Sequence, residues 1–198
     1  MTLGAVIPAA GLSSRMGAFK PLLDINGVPA IERVINAFRD AGVGEIAVVT
    51  GHNAGMLNVI ISRLRSAALY NAGYADGAMF DSVKIGLEYL KGRCDRVFIT
   101  PADTPLFTAD TVRSLLQTAS PVAIPAYQGK PGHPIMLGNG AISHVMSYTG
   151  NGGLRGAIAG LRAEYLETGD SGVLYDMDTP GDYSRLLKLI QGEFNEAD

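Results

Sequence analysis

Short, largely apolar or β-branched runs alternate along this chain with stretches whose apolar positions recur every three or four residues. Residues 3–7, 45–50, 96–100 and 122–126 are runs of the first kind, each closed off by Gly, Pro or Asp. That pattern predicts strands. Between them, apolar residues at 31, 34, 35, 38 and 41 follow helical spacing, and Gly42 stands where a helix can end in a left-handed residue. Residues 53–65, 82–90, 108–119 and 180–190 repeat the helical pattern. The resulting β-α-β-α-β-α-β order predicts an α/β fold, a single three-layer α/β/α domain over residues 1–198 built on a mostly parallel sheet. Ligands of such sheets bind beyond the carboxyl ends of the strands, which directs attention to the loops after residues 8, 50, 100 and 175. The rhythm breaks at 127–137, a Gly- and Pro-rich turn with a short strand, and at 150–156, which is read as a loop. Both are expected to shape a pocket. If a strand continues through 173–178, alternation puts Asp176 and Asp178 on one face. Thr179, Pro180 and Asp182 then serve as N-cap, N1 and N3 of the last helix.

Composition narrows the class. The 198 residues correspond to one domain or slightly more at roughly 150 residues each. Hydrophobic residues make up 47% and charged ones 18%, so enough apolar surface is present to bury a core and disorder is excluded. Sixteen Lys and Arg against 19 Asp and Glu give a net charge of −3. Without a basic block, no nucleic-acid partner is expected. The 25 glycines are scattered without a period, implying many tight turns. A single cysteine, Cys94, rules out an intramolecular disulfide and fits a reducing cytoplasm, and His52, His133 and His144 are too dispersed to suggest a zinc cluster. Residues 1–10 are apolar, yet no Lys or Arg precedes Arg15 and Pro8 interrupts the run, so no secretory leader is expected. No apolar stretch approaches the ~20 residues of a membrane helix, and no membrane partner is expected.

Three segments carry candidate chemistry. The first strand runs into Ala9-Ala10-Gly11-Leu12-Ser13-Ser14-Arg15-Met16-Gly17-Ala18-Phe19-Lys20. Bare N–H groups of such a loop can converge on an anion, with Arg15 and Lys20 adding full charges for a polyphosphate. The spacing fits neither the Walker loop nor the dinucleotide fingerprint. The second segment, Thr100-Pro101-Ala102-Asp103-Thr104-Pro105, sets a carboxylate at the end of a strand beside that loop. There Asp103 could hold a divalent cation, or serve as a turn residue ahead of a helix cap at Thr108. The third is Asp176-Met177-Asp178, with Asp178 the candidate metal ligand. Softer candidates are His133 in the turn 128–135, weighed as an acceptor-pocket group or a turn donor, and Cys94, read as inert.

At these residues the sequence resembles a known family. The stretch 9–22 is similar to the signature of the molybdenum-cofactor nucleotidylyltransferases, the MobA/MocA-like NTP transferases with a GT-A-type, nucleotide-diphospho-sugar transferase fold. Tyr74-Ala75-Asp76-Gly77 with residues 82–87, Ala102-Asp103-Thr104-Pro105, Gly132-His133-Pro134 and Asp176-Met177-Asp178-Thr179-Pro180 resemble later segments of that family, in order. The resemblance implies transfer of a nucleoside monophosphate from an NTP to the phosphate of molybdopterin or the molybdenum cofactor, with release of pyrophosphate. It implies CTP as the favoured nucleotide and GTP as the other candidate, since residues 101–105 also resemble the guanylyl branch while Phe80-Asp81 replaces a serine-rich pair. The nucleotide site so implied comprises Ala9, Ala10, Gly11, Leu12, Ser13, Ser14, Arg15, Gly17, Lys20, Gly77, Ser82 and Asp103. Lys20, Arg15 and Asp103 would be catalytic, Asp103 and Asp178 would hold Mg²⁺, and Gly132 and His133 would line the acceptor side. The implied partners are the NTP, a phosphorylated small molecule and a hand-over partner among molybdoenzyme maturation proteins. A sugar- or alcohol-phosphate nucleotidylyltransferase shares the same phosphate loop and metal residues, and a catalytically silent nucleotide-binding module is the alternative outside enzymes.

Overall fold

A computed structural model describes residues 1–192. Strand β1 (Leu3–Ala9) empties into the glycine-containing loop and a 3-10 turn at Lys20–Leu22. A small hairpin, β2 (Asp24–Ile25) and β3 (Val28–Pro29), leads to α1 (Ala30–Asp40), β4 (Glu45–Thr50), α2 (Ala54–Arg63), β5 (Ala67–Tyr70), α3 (Met79–Leu90) and β6 (Arg96–Ile99). The second half contains α4 (Ala109–Leu115), β7 (Val122–Tyr127), β8 (Lys130–Pro131), β9 (Ile135–Gly138), α5 (Asn139–Ser147), α6 (Gly153–Ile158) and β10 (Ala163–Glu167). A 3-10 turn at Ser171–Leu174 and α7 (Pro180–Ile190) follow.

The sheet runs in the order β10-β7-β9-β6-β1-β4-β5, with β8 added beside β7. Strand β1 lies parallel between β4 and β6, while β9 runs antiparallel between β6 and β7. The sheet is therefore mostly parallel, as the alternation of elements implies. Its two faces follow the period-two alternation of β1. Ala5 and Ile7 join Ile31, Phe38, Phe98 and Leu115 on one side, and Val6 joins Val49, Leu87, Leu90 and Ile99 on the other. Each fully buried large side chain contributes about 1.5–3 kcal/mol relative to exposure, so the helix layers are held by many such contacts. Gly86 lets α3 approach β1, since a Cβ there would lie 2.3 Å from Val6 Cγ1. A smaller cluster of Ile25, Ala30, Met177 and Leu186 seats α7.

Helix ends follow local chemistry. Gly42 has φ +89°, the left-handed conformation expected of it. At α7 the Asp182 N–H donates to Thr179 Oγ1 at 3.2 Å and the Thr179 N–H donates to Asp182 Oδ2 at 2.9 Å, completing the reciprocal cap. Three expectations are corrected. The segment 173–178 is not a strand: Asp170 Oδ1 accepts from the Gly172 N–H at 3.0 Å and tightens the chain into the 3-10 turn, after which the Met177 N–H donates to the Asp103 carbonyl at 3.0 Å. The segment 150–156 is not all loop, because α6 begins at Gly153. Helix α3 starts at Met79 rather than at 82, where the Asp81 carboxylate accepts from the Ala78 N–H at 2.9 Å. Among the described residues no helix is long and apolar enough to cross a membrane.

Candidate active site

The loop after β1 is pinned from within. Ser13 (φ 54°) and Gly17 (φ 69°) take left-handed turns, the Met16 N–H donates to the Ser13 carbonyl at 3.1 Å, and Met16 is buried beneath the loop. Ser13 Oγ accepts from the Lys20 N–H at 3.2 Å, which ties the loop to the turn that carries Lys20. Ala9 and Ala10 are buried where the strand ends, and the Ala10 carbonyl accepts from the His52 N–H at 3.2 Å. Ala9, Gly11, Ser13, Arg15 and Lys20 line a recess of about 160 Å³. Leu12 and Ser14 are exposed and are not among the residues lining it.

Asp103 enters from the end of β6, where the Ala102 N–H donates to the Pro8 carbonyl at 3.2 Å and so joins the two loops. The helix after it is capped without Asp103. Thr108 Oγ1 accepts from the Thr111 N–H, and Asp170 Oδ2 accepts from the Thr108 N–H at 2.8 Å. Asp178 enters from the opposite side, next to the fully buried Met177. The Lys20 ammonium lies 2.9 Å from Asp103 Oδ2 and 2.5 Å from Asp178 Oδ1, and Arg15 Nη1 lies 2.8 Å from Asp178 Oδ2. Lys20 and Asp103 are mostly shielded, with side chains 12% and 18% exposed, whereas Arg15 is 71% exposed. Burial alone would lower the Lys20 pKa, but hydrogen bonds to Asp178 and Asp103 outweigh it and hold the ammonium above its ordinary value. The hydrogen bond from Lys20 holds the Asp178 carboxyl below the usual range.

Beside this charge cluster opens a cleft of about 1170 Å³. Gly132, His133, Asp103, Asp176 and Asp178 share its walls, so the acceptor-side and metal candidates stand around one space. The His133 N–H donates to the Val173 carbonyl at 2.9 Å, which straps this turn to the 3-10 turn. The His133 ring hydrogen-bonds the backbone of Ile99, its Nδ1 has no partner, and burial lowers its pKa. Asp176 is exposed and lines the cleft beside Asp178. Partial desolvation of its carboxyl against the cleft wall, and then the neighbouring Asp178, push its pKa up.

Two expected residues lie elsewhere. Ser82 is buried and its hydroxyl accepts from Asn71 Nδ2 at 3.0 Å, while the Gly77 N–H donates to the Gly73 carbonyl at 2.8 Å. Both shape the 71–77 turn. Ala78, Met79 and Phe80 between them line the cleft instead. Cys94 is buried, and burial pushes its thiol up to about 11, which leaves it inert. Residues that the sequence did not single out also reach the cleft. Thr104, whose buried hydroxyl has no partner, adjoins a flagged aspartate and could have been noticed, while Arg155 lay inside a segment read as loop.

The profile of the MobA-like NTP transferase domain matches residues 5–167. The chain is 28% identical over 184 residues to the molybdenum cofactor cytidylyltransferase of Escherichia coli K12, covering 91% of this chain and 93% of that protein. A nucleotidyl transferase from Methanothermobacter thermautotrophicus superposes with a TM-score of 0.83 at 26% identity, covering 98% of this chain and 99% of the other. A Mycobacterium tuberculosis H37Rv protein, Rv0371c, solved in complex with manganese, is 20% identical with a TM-score of 0.79 over 95% of this chain and 99% of its own, and shares the fold.

Proposed function

The chain belongs to the MobA-like NTP transferase family, and we propose that it transfers the nucleoside monophosphate of an NTP, CTP in preference to GTP, to the phosphate of molybdopterin or the molybdenum cofactor. An oxygen of the acceptor phosphate attacks the α-phosphorus, the bond to the bridging oxygen of the β-phosphate breaks, and pyrophosphate leaves. The acceptor phosphate is already ionised near neutral pH, so positioning and charge neutralisation carry most of the catalysis. The observation that carries this reading is the Lys20 ammonium held between Asp103 and Asp178 at the mouth of the glycine-containing loop. In the working complex the loop amides and Arg15 take the β- and γ-phosphates and Lys20 moves to the α-phosphate, where charge shifts in the transition state. The cytidylyltransferase relative supports CTP and the molybdenum-cofactor acceptor. A cytoplasmic setting and hand-over to molybdoenzyme maturation proteins accompany that acceptor.

Two carboxylates that converge on one cation present hard oxygen donors of the kind Mg²⁺ takes, and no group of three or more His, Cys, Asp and Glu suited to a metal exists among the described residues. A divalent ion held by Asp103 and Asp178 and completed by substrate phosphates fits this donor set. When bound, such an ion offsets the repulsion between the two reacting anions. Pyrophosphate release measured with each of the four NTPs against a panel of phosphorylated acceptors, molybdopterin among them, tests the reading. CTP with molybdopterin should give the highest rate. Turnover confined to a sugar or alcohol phosphate would reassign the acceptor, and no release with any pair would leave a silent binding module.

A further inference from the structure

The walls of the large cleft carry two arginines among the described residues, Arg15 and Arg155. Arg15 is engaged by Asp178. Arg155 is exposed and forms neither ion pair nor hydrogen bond with a described residue, although Asp103, Asp176 and Asp178 border the same space. Around it the wall is aliphatic: Leu154, Ile158, Ala159 and Leu161 line the cleft beside it.

The backbone that carries this charge is tightly held. Ala157 and Ile158 are buried in the core on the α3 side of the sheet. The Tyr148 hydroxyl donates to the Asn151 carbonyl at 2.7 Å, and Lys84 Nζ donates to the Tyr148 carbonyl at 2.5 Å. The Tyr148 ring meets Phe80 edge-on at 6.2 Å. A Cβ on Gly156 would lie 2.2 Å from the Asn151 carbonyl oxygen, so the turn closes on the helix without slack. The structure therefore presents, on a fixed backbone, an exposed guanidinium that no described residue engages, set among apolar residues on the wall of the cleft.

We propose that Arg155 holds the phosphate monoester of the acceptor, an inference that rests on the nucleotidyl-transfer reading. Transfer brings two anions together. Lys20 and Arg15 are assigned to the nucleotide, and Arg155 is the remaining cation on the walls of the cleft among the described residues. A guanidinium presents planar paired donors that match phosphate oxygens two at a time, which a lysine cannot reproduce. Arg155 shares the cleft with His133, with Ile124 of β7 and with Ala163 and Tyr165 of β10, at the end of the sheet away from β4 and β5, which sets it within reach of the acceptor side.

Calorimetric titration with phenyl phosphate, in the presence of Mg²⁺ and α,β-methylene-CTP, tests this on the wild type and on Arg155→Ala, Arg155→Gln and Arg155→Lys. Loss of a charge-assisted bond should weaken phenyl phosphate by about tenfold or more in the Ala and Gln variants and by less in Lys. Affinity for α,β-methylene-CTP should stay within about twofold and phenol should be indifferent to the substitutions. Three results would overturn the assignment: no phenyl phosphate binding to the wild type, equal binding to Arg155→Ala, or a matching loss of nucleotide affinity. Arg155-dependent phenyl phosphate binding by a wild type that ignores all NTPs would keep this site and refute the nucleotidyl-transfer reading instead.

Discussion

Lys20 is held by two carboxylates from distant parts of the chain, 83 and 158 residues away. On the proposed reading its charge matters most when the α-phosphate reacts, so Lys20→Ala should lower kcat by about 10²–10³ with a smaller change in nucleotide Kd. Steady-state rates beside calorimetric affinities separate the two; an unchanged kcat with weaker binding would make Lys20 a ground-state anchor. The two aspartates flanking Met177 are expected to differ. Asp178 engages both Lys20 and Arg15, whereas Asp176 stands exposed in the cleft. Asp178→Asn should therefore lose activity and Mg²⁺ activation by orders of magnitude with circular dichroism unchanged, and Asp176→Asn should cost no more than the roughly 10- to 100-fold typical of an outer partner. The reverse order in a metal titration would exchange their roles. The position of Asp103 is legible because it follows the carboxyl end of β6, whereas that of Lys20 is set by its own 3-10 turn and by Ser13 Oγ, well past the end of β1. Gly77 and Ser82 were not legible, because nothing in the sequence shows that Asn71 claims the serine hydroxyl.

At the scale of elements, position depends on buried anchors as much as on the charged groups themselves. Met177 is fully buried against Ile25, Ala30 and Leu186, and its N–H bonds the Asp103 carbonyl, so one residue sets the spacing of both acidic arms of the site. Met177→Ala should cost about 2–5 kcal/mol in urea unfolding, and should lower activity more than the loss of folded protein explains. A destabilised variant with full specific activity would disconnect that anchor from catalysis. The strands β1, β4, β6 and β7 were readable because they are buried almost end to end. Strand β5 is four residues with alternate positions exposed, and β10 carries two glutamates at the edge of the sheet, so neither leaves an apolar run. Helix α6 starts on the second of the paired glycines Gly152 and Gly153, whose permissiveness masks a helix only six residues long.

Across the whole molecule, acid acts on stability through groups of opposite sign. Burial lowers the His133 pKa from 6.5, so both states are neutral above that value. Below it the unfolded chain takes up the proton first, and stability declines until the folded value is passed. Asp178 has the usual carboxylate sign: its contribution is present above about 3.8 and is lost as pH falls through its lower folded value. The raised Asp176 runs the other way, its penalty easing as pH drops from its folded value towards 3.8. His133→Gln should accordingly flatten the loss of stability just below pH 6.5, read from urea midpoints at about pH 7.5 and pH 5.5. Identical pH responses in variant and wild type would remove His133 as the source. The reversed strand β9 has a consequence of another kind. The chain turns after Tyr127, adds β8 beside β7 and returns through the interior of the sheet as β9, locked antiparallel to both β6 and β7, so the 128–134 excursion is clamped at both ends. Only its exposed tip at 128–131 is open to exchange, because the Gly132 N–H donates to the Pro125 carbonyl, the His133 N–H donates to the Val173 carbonyl and a Cβ on Gly132 would strike Val173; on the proposed reading, a foreign turn grafted at that tip is the way to alter acceptor choice without rewinding the strands behind the charge cluster.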